Sequence, residues 1–135
     1  MTADDCDRVI AFWRASEGMG LDDDVDAPEQ IAAYLARNGP MSFVAVDAAD
    51  GAVVGAVLCG TDGRRGYMHH LAVAPAHAGQ GLGRSLCQHC LDALGRAGIR
   101  KCHVFVFARN IQARNFYAAT GWQLREDLMI VSKDT

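Results

Sequence analysis

The sequence lacks several features that would assign it to a broad class at once. It has no excess of basic residues, because 13 lysines and arginines face 16 aspartates and glutamates, for a formal net charge of -3. That balance gives no support for nucleic-acid binding. No apolar run approaches the roughly 18 residues of a membrane-spanning helix, and the acidic N-terminus does not have the layout of a signal peptide. We therefore expect one domain over residues 1–135, cytoplasmic, with no membrane or nucleic-acid partner.

The 5 cysteines lack the even count that a disulfide-bonded secreted protein would show. With no secretory signal, this favours free thiols in a reducing compartment. Cys87 and Cys90 have a spacing found in metal sites, and Cys102 and His103 could complete a zinc site. Positions 87 and 90 also lie on one side of a predicted helix, where cysteines pack as small hydrophobic side chains. We prefer this second interpretation and expect no metal.

The spacing of apolar residues predicts the element order α-α-β-β-β-α-β-α-β. Helices are expected at residues 4–17, 27–37, 82–96 and 112–120, and strands at 41–47, 52–60, 66–73, 101–107 and 128–132. Asp26 is the expected N-cap of the second helix, with Pro28 in its first turn. An antiparallel meander then joins a βαβ crossover, which makes a mixed α/β (α+β-like) sheet flanked by helices and not a doubly wound one.

A glycine-rich segment connects the third strand to the third helix: Gly79-Gln80-Gly81-Leu82-Gly83. Glycines let the backbone turn sharply and approach a ligand closely. The first helical turn adds unpaired amides and a partial positive charge, which suits a phosphate or pyrophosphate, and Arg84 adds a cation. The segment lacks the P-loop lysine and the three-residue glycine step of the dinucleotide fingerprint. By itself it fits a simple tight connection equally well.

Two runs, in the right order, resemble the motifs of one family. The first is Leu71-Ala72-Val73-Ala74-Pro75 with the glycine segment and Arg84-Ser85-Leu86, and the second is Asn110-x-x-Ala113-x-x-Phe116-Tyr117-x-x-x-Gly121-Trp122. They are similar to the two central motifs of the GNAT superfamily of acyl-CoA N-acyltransferases, over residues 42–132. The family's usual first strand is not visible before Asp4. Ala78 also departs from the basic or glutamine side chain that the family often has there.

The resemblance implies transfer of an acetyl group from acetyl-CoA to a primary amine by direct attack in a ternary complex. It assigns cofactor binding to the glycine segment with Arg84, to the backbone of Leu71, Ala72 and Val73, and to Asn110. The Val73 N–H would polarise the thioester carbonyl. Asn110 could instead cap the helix at Gln112.

The same resemblance implies that Tyr117 donates a proton to the CoA sulfur. The alternative is a core aromatic side chain on an amphipathic helix, beside Phe116. The presence of the surrounding motif favours the functional interpretation of Tyr117.

A general base is expected on the third strand. Period-two alternation puts Tyr67, His69, Leu71 and Val73 on one face, and Met68 and His70 on the other. In the family that the sequence resembles, this face can present the base toward the acceptor cleft. The resemblance therefore implies that His69 takes the proton of the amine, with Tyr67 as a relay through water. The alternative is that His69 only lines the cleft and bulk water takes the proton. His70 is expected to pack beneath the helix.

The sequence does not decide whether the acceptor is a small-molecule amine or a protein amine. It also does not decide whether the protein forms a homodimer. The loop between the first two helices contains Asp22, Asp23, Asp24 and Asp26. These acids would attract a cationic acceptor, or form only a solvated loop with a helix cap. Two other classes compete with an enzyme: a non-catalytic CoA-binding module of the same fold, and an anion- or nucleotide-binding regulator that uses only the glycine segment.

Overall fold

A computed structural model describes residues 1–135. The chain divides into two compact units, Met1–Phe105 and Val106–Thr135. The sheet lies in the first unit, and the second contains a single α-helix. The expected single domain over 1–135 stays a prediction beside this division. None of the helices is both long enough and apolar enough to cross a membrane.

The first unit is a mixed sheet with helices on both faces. Its helices are α1 (Cys6–Ala15), α2 (Pro28–Asn38) and α3 (Leu82–Arg96), and its strands are β1 (Phe43–Val46), β2 (Val53–Thr61), β3 (Gly66–Val73) and β4 (Cys102–Val104). The order in the sheet is β1-β2-β3-β4. The first two pairings are antiparallel and β3 pairs with β4 in parallel. The predicted mixed α/β fold, a meander joined to a crossover through α3, is confirmed.

The two faces of the sheet are covered by different helices. Trp13 of α1 and Ile31 of α2 are buried with Leu58 of β2 on one face. Leu86 and Leu94 of α3 pack on the other face over glycines of β2 and β3, where an added Cβ would press on them. Each aliphatic side chain buried in this way contributes about 1.5–3 kcal/mol. Burial on both faces explains why β2 is apolar along most of its length.

Two predicted strands differ from the structure. The strand expected at 101–107 ends at Val104, because β3 and β4 stop pairing there. The strand expected at 128–132 is absent, and Leu128, Met129, Ile130 and Val131 are exposed. Its apolar composition favours a strand, but a strand needs a neighbour to hydrogen-bond with. Before α1 the sequence showed no strand, and the structure has none there: the chain forms a 3-10 turn, Ala3–Asp5.

The second unit is organised around α4 (Ile111–Ala119). Asn110 precedes this helix, and its side chain accepts a hydrogen bond of 3.0 Å from the Ala113 N–H. No residue after Phe105 is buried. The helix cap is one local interaction that stabilises the start of α4.

Candidate active site

Strand β3 contains a β-bulge at His70. Leu58 of β2 pairs with His69 and Ala56 pairs with Ala72, so a step of three residues on β3 matches a step of two on β2. His70 has a φ of 53° and is the only residue other than glycine with a positive φ. Histidine adopts this left-handed conformation more readily than most residues. The alternation of side chains therefore changes at His70.

The bulge corrects the predicted faces of β3. The face covered by α1 and α2 carries Tyr67, His69 and Ala72, and the face covered by α3 carries Met68 and Val73. The predicted faces are right for Tyr67, Met68 and His69, which lie before the bulge, but wrong for Val73. The predicted face is also wrong for His70, whose ring lies 5.1 Å from that of Trp13 in α1. Leu71 lies inside the bulge, without a pairing partner on β2. Strict alternation fails here because the ladder gains one residue.

An open cleft of about 560 Å³ lies on the α1–α2 side of β3. Leu58, His69 and His70 line it from the sheet, and α2 and the loop before it supply the rest. Its polar and charged side chains are Asp22, Asp26, Gln30, Tyr34, Arg37, His69 and His70. A concave site with convergent titratable groups is a candidate for catalysis.

Asp26 and His70 form a buried pair in this cleft. Asp26 Oδ1 lies 2.9 Å from His70 Nε2, and Asp26 Oδ2 accepts a hydrogen bond of 2.9 Å from the Asp22 backbone N–H. The side chains are only 10% and 17% exposed, respectively. The prediction that Asp26 is the N-cap of α2 is therefore wrong. The N-cap is Ala27, without a side-chain bond, because the carboxylate is already engaged and Pro28 has no N–H to cap.

His69 lies beside this pair within a group of aromatic rings. Its ring centroid is 6.3 Å from that of His70, 6.4 Å from Tyr34 and 6.1 Å from Phe105. Burial lowers the pKa of His69 from its ordinary 6.5, His70 lowers this pKa further, and Asp26 partly opposes both. His69 is thus mostly neutral at pH 7, which is the state that accepts a proton.

Tyr34 is a cleft residue that sequence reasoning did not single out. Its hydroxyl lies so near Gly60 that a Cβ at that position would collide with it. Burial raises the pKa of Tyr34 to about 12, so the hydroxyl stays protonated and can donate a hydrogen bond. The sequence placed Tyr34 on the apolar side of α2, and nothing local connects it to Gly60.

Tyr67 shares the face of His69, but its hydroxyl approaches another partner. It lies 3.5 Å from Asp62 Oδ2 in the β2–β3 turn. The Tyr67 ring stacks on Phe105 at 6.2 Å, and Phe105 in turn stacks on His69. A relay from Tyr67 to His69 would therefore need water around the Phe105 ring.

The acidic loop before α2 is only partly directed at the cleft. Asp22 lines the cleft and also accepts a hydrogen bond of 2.9 Å from the Asp24 backbone N–H. Asp23 pairs with Arg14 of α1, and the Asp24 side chain is exposed outside the cleft. Asp22 and Asp26 are therefore the carboxylates that a molecule in the cleft would meet.

The edge of β3 next to β4 is paired over only part of its length. The parallel ladder ends at Met68 and Val104, whereas β3 continues to Val73. The Ala74 N–H donates to the Val54 carbonyl at 2.8 Å, toward β2. Because consecutive N–H groups of a strand point to opposite edges, the Val73 N–H points to the open edge. The strand thus opens where the sequence motif implied that Leu71 to Val73 would meet a cofactor.

The glycine segment forms the turn into α3. Gly79 and Gly81 have φ values of 74° and 83°, and Gly81 is the N-cap residue. A Cβ added to either would meet no atom within 4 Å, so backbone conformation demands glycine while the space beside the loop stays open. The helical ladder begins with the Ser85 N–H bonded to the Gly81 carbonyl at 2.9 Å. The N–H groups of Leu82 and Gly83 are therefore donors without an intrahelical acceptor, at the positive end of the helix.

The polar side chains of this loop are exposed. Arg84 and Gln80 are exposed, and Ala78 contributes no polar group. A second hollow of about 460 Å³ lies between the loop and the β1–β2 hairpin. Beside it, His77 Nε2 is 3.4 Å from Asp47 Oδ2. This contact ties the start of the loop to the hairpin.

In the second unit, the predicted site residue Asn110 directly precedes α4, and the predicted site residue Tyr117 lies within this helix. The cap that Asn110 provides confirms one of its two predicted roles, and leaves its side-chain NH2 group for another partner. Tyr117 is half-buried between Phe116 and Trp122, with ring centroids 5.1 and 5.3 Å away, both edge to face. These rings fix the position of Tyr117 within its unit.

The cysteines are free thiols, and all but Cys102 are buried. Cys90 and Cys59 share a hydrogen bond between α3 and β2. Burial raises the pKa of Cys87 to about 11 and that of Cys102 to about 12. No group of three histidine, cysteine or acidic side chains is arranged to hold a metal ion. Cys87 and Cys102 therefore stay protonated at neutral pH, and the four buried cysteines pack as small hydrophobic side chains.

Solved structures share the fold of this chain. A PaiA N-acetyltransferase of Thermoplasma acidophilum, solved with coenzyme A, has a TM-score of 0.76 at 15% identity, over 93% of this chain and 88% of that one. AAC(6')-Iy, solved with the bisubstrate analogue CoA-S-monomethyl-acetylneamine, has a TM-score of 0.75 at 16% identity, over 100% of this chain and 95% of that one.

Sequence comparison identifies the family. An acetyltransferase of Sodalis glossinidius is 25% identical over 130 residues, which are 96% of this chain and 89% of that protein. Residues 8–122 match the sequence model of the acetyltransferase (GNAT) family. This match includes the cleft, the open edge of β3, the glycine segment and the motif around Tyr117. The chain therefore belongs to the GNAT family of acetyltransferases.

Proposed function

We propose that the protein transfers an acetyl group from acetyl-CoA to a primary amine by direct attack in a ternary complex. The observation that carries this proposal is the construction of β3. One strand presents His69 to the cleft and then runs, with one edge open, into the glycine segment. An amine in the cleft and a thioester along the open edge would therefore meet at the same strand.

The donor is assigned to the open edge and the loop. The free N–H groups of Leu82 and Gly83 and the positive helix end suit the pyrophosphate of CoA, and Arg84 adds a cation nearby. The unfilled space beside Gly79 and Gly81 supports this fit. Backbone groups of Leu71 to Val73 would pair with the pantetheine arm, and the amide of Asn110 is a further donor. The solved PaiA N-acetyltransferase carries coenzyme A, which supports the same choice.

The chemistry requires a base, an oxyanion donor and an acid. Neutral His69 takes a proton from the ammonium group of the acceptor, and the freed nitrogen lone pair attacks the thioester carbon. The Val73 N–H donates to the oxygen that becomes negative. The C–S bond then breaks, and Tyr117 supplies a proton to the departing thiolate. The nitrogen loses its second proton as the amide forms, and that proton restores the tyrosine.

The acceptor is proposed to be cationic, because Asp22 and Asp26 line the cleft. Both a small-molecule amine and a protein N-terminus or lysine satisfy this condition. Tyr67 would serve only through water, since Asp62 is its nearer partner. The free thiols fit a cytoplasmic location.

The test is chromatographic detection of CoA released from acetyl-CoA, which avoids thiol reagents that would react with the protein's own cysteines. The panel contains polyamines, amino-acid amines and peptides with free N-termini. We expect turnover of a cationic member, and a loss of about 10²- to 10⁴-fold in kcat for His69→Gln. The matched control is His89→Gln, an exposed histidine of α3 outside the cleft, with unchanged kcat.

Binding measurements separate this proposal from its two competitors. Tight binding of CoA without turnover of any amine would favour a non-catalytic CoA-binding module. Binding of ADP as tightly as CoA would favour a nucleotide-binding regulator that uses only the loop. Full turnover by Tyr117→Phe would remove that residue as the acid.

A further inference from the structure

Apart from the charge that Asp26 presents to a cationic acceptor, the Asp26–His70 pair takes no part in the proton transfers proposed above, although it is the least exposed ion pair of the protein. A buried carboxylate is retained at a cost unless its oxygens are bonded. Both oxygens of Asp26 are bonded, one to His70 and one to the Asp22 N–H. These two hydrogen bonds therefore offset the cost of burying the Asp26 carboxylate in the cleft.

The pair also joins two segments 44 residues apart in sequence. One is the loop before α2, which supplies Asp22 to the cleft, and the other is the bulge of β3. A positive φ at a residue other than glycine persists only where its surroundings hold it. The His70 side chain contacts Asp26, the buried ring of Trp13 and the ring of His69. His70 is thus held in the bulge directly beside His69.

We propose that Asp26 and His70 are positioning residues that together fix the ring and set the charge of His69 in the acceptor cleft. This inference rests on the proposed role of His69 as the base. The two partners act in opposite senses. The negative Asp26 raises the pKa of His69, and His70 lowers it. The other titratable or charged side chains lining the cleft are Asp22, Tyr34 and Arg37.

Two substitutions should therefore move the titration of His69 in opposite directions. Asp26→Asn removes the negative charge that favours protonated His69, so the pKa of His69 falls. His70→Asn removes the side chain that lowers the pKa of His69 and that bonds to the Asp26 carboxylate, so the pKa of His69 rises. Asparagine tolerates the left-handed backbone at position 70. The readout is an NMR titration of the His69 imidazole in the full chain without ligands, with expected shifts of about one unit.

The control is Asp24→Asn, which removes the same charge from the same loop but outside the cleft. It should leave the His69 titration unchanged. His70→Gly, which also accepts a positive φ, replaces His70→Asn if that variant does not fold. Thermal unfolding checks every variant. Unchanged His69 titration in both Asp26→Asn and His70→Asn, or shifts of the same sign, would overturn the proposal.

Turnover then separates this inference from the proposed function. The low-pH limb of kcat/KM should follow the titration, moving to lower pH in Asp26→Asn and to higher pH in His70→Asn. If His69→Gln abolishes turnover but neither variant moves the titration, the positioning role fails and the proposed function stands. If the titration moves while His69→Gln remains fully active, the pair sets the charge of His69 but His69 is not the base.

Discussion

The cleft beside His69 and the loop around Gly81 belong to the same strand–turn–helix stretch but present different chemical groups. The cleft presents side chains from a loop, a helix and a strand, including Asp26 and His70. The loop presents backbone N–H groups, with exposed or apolar side chains. Side-chain chemistry depends on identity and protonation, whereas backbone chemistry depends on φ and ψ. The two halves of the site should therefore fail in different ways when the sequence changes.

The largest effect is expected on CoA binding when Gly81 is replaced. Gly81→Val places a β-branched residue at a φ of 83°, which costs about 1–3 kcal/mol. Binding of CoA should weaken by roughly 10- to 100-fold, measured by calorimetry. Gly81→Asn is the matched control, because asparagine tolerates this conformation and should lose much less. Equal losses in the two variants would mean that space and not conformation limits the loop.

A smaller effect is expected in the cleft. Asp22→Asn removes one of the two carboxylates that an amine would meet, and should raise KM for a cationic acceptor by about two- to fivefold, the value of an exposed charge pair. Asp23→Asn serves as control, because Asp23 pairs with Arg14 outside the cleft. An unchanged KM in Asp22→Asn would contradict steering by the acidic loop.

A smaller effect still is expected from the charged side chain at the loop. Arg84→Gln should weaken CoA binding by only about two- to threefold, since Arg84 is exposed and an exposed charge is screened by salt. The loss should shrink as salt is added. A loss as large as that of Gly81→Val would show that a side chain, not the backbone, dominates the loop.

The smallest effect concerns pH. Because burial and His70 lower the pKa of His69 from 6.5, more than half of the enzyme is neutral at His69 when the pH is 6.5. The rate should rise with pH as His69 loses its proton, and at pH 6.5 it should be less than twofold below its plateau. A low-pH limb of kcat/KM centred above 6.5 would contradict this assignment of the base.

Local patterns predicted the scaffold well. The bounds of α3 and β3 match the prediction because glycines and apolar spacing mark them within the elements themselves. The cap by Asn110 is a contact with Ala113, three residues away, and was among the predicted roles. The strand at 128–132 failed because a strand depends on a partner that its own sequence does not contain.

The site was harder to predict than the scaffold. His69 was expected in a cleft and is found in one, since it lies before the bulge. The bulge itself left no sign in the sequence, because an added residue looks like any other in an apolar strand. Asp26 was assigned to the nearest helix, although its partner His70 is 44 residues away. Contacts of this kind require the fold to be known first.

The extra residue in β3 has a consequence for insertions and deletions. In an unbroken ladder of the same length, Val73 would lie on the same face as His69, four positions away. Deleting Leu71 would make the ladder regular and leave Val73 on its present face, opposite Gly55. It would, however, turn His70 to the face covered by α3, away from Asp26 and Trp13. A regular β3 and the Asp26–His70 pair therefore exclude each other, so a deletion here should remove the pair while the faces of His69 and Val73 stay as they are.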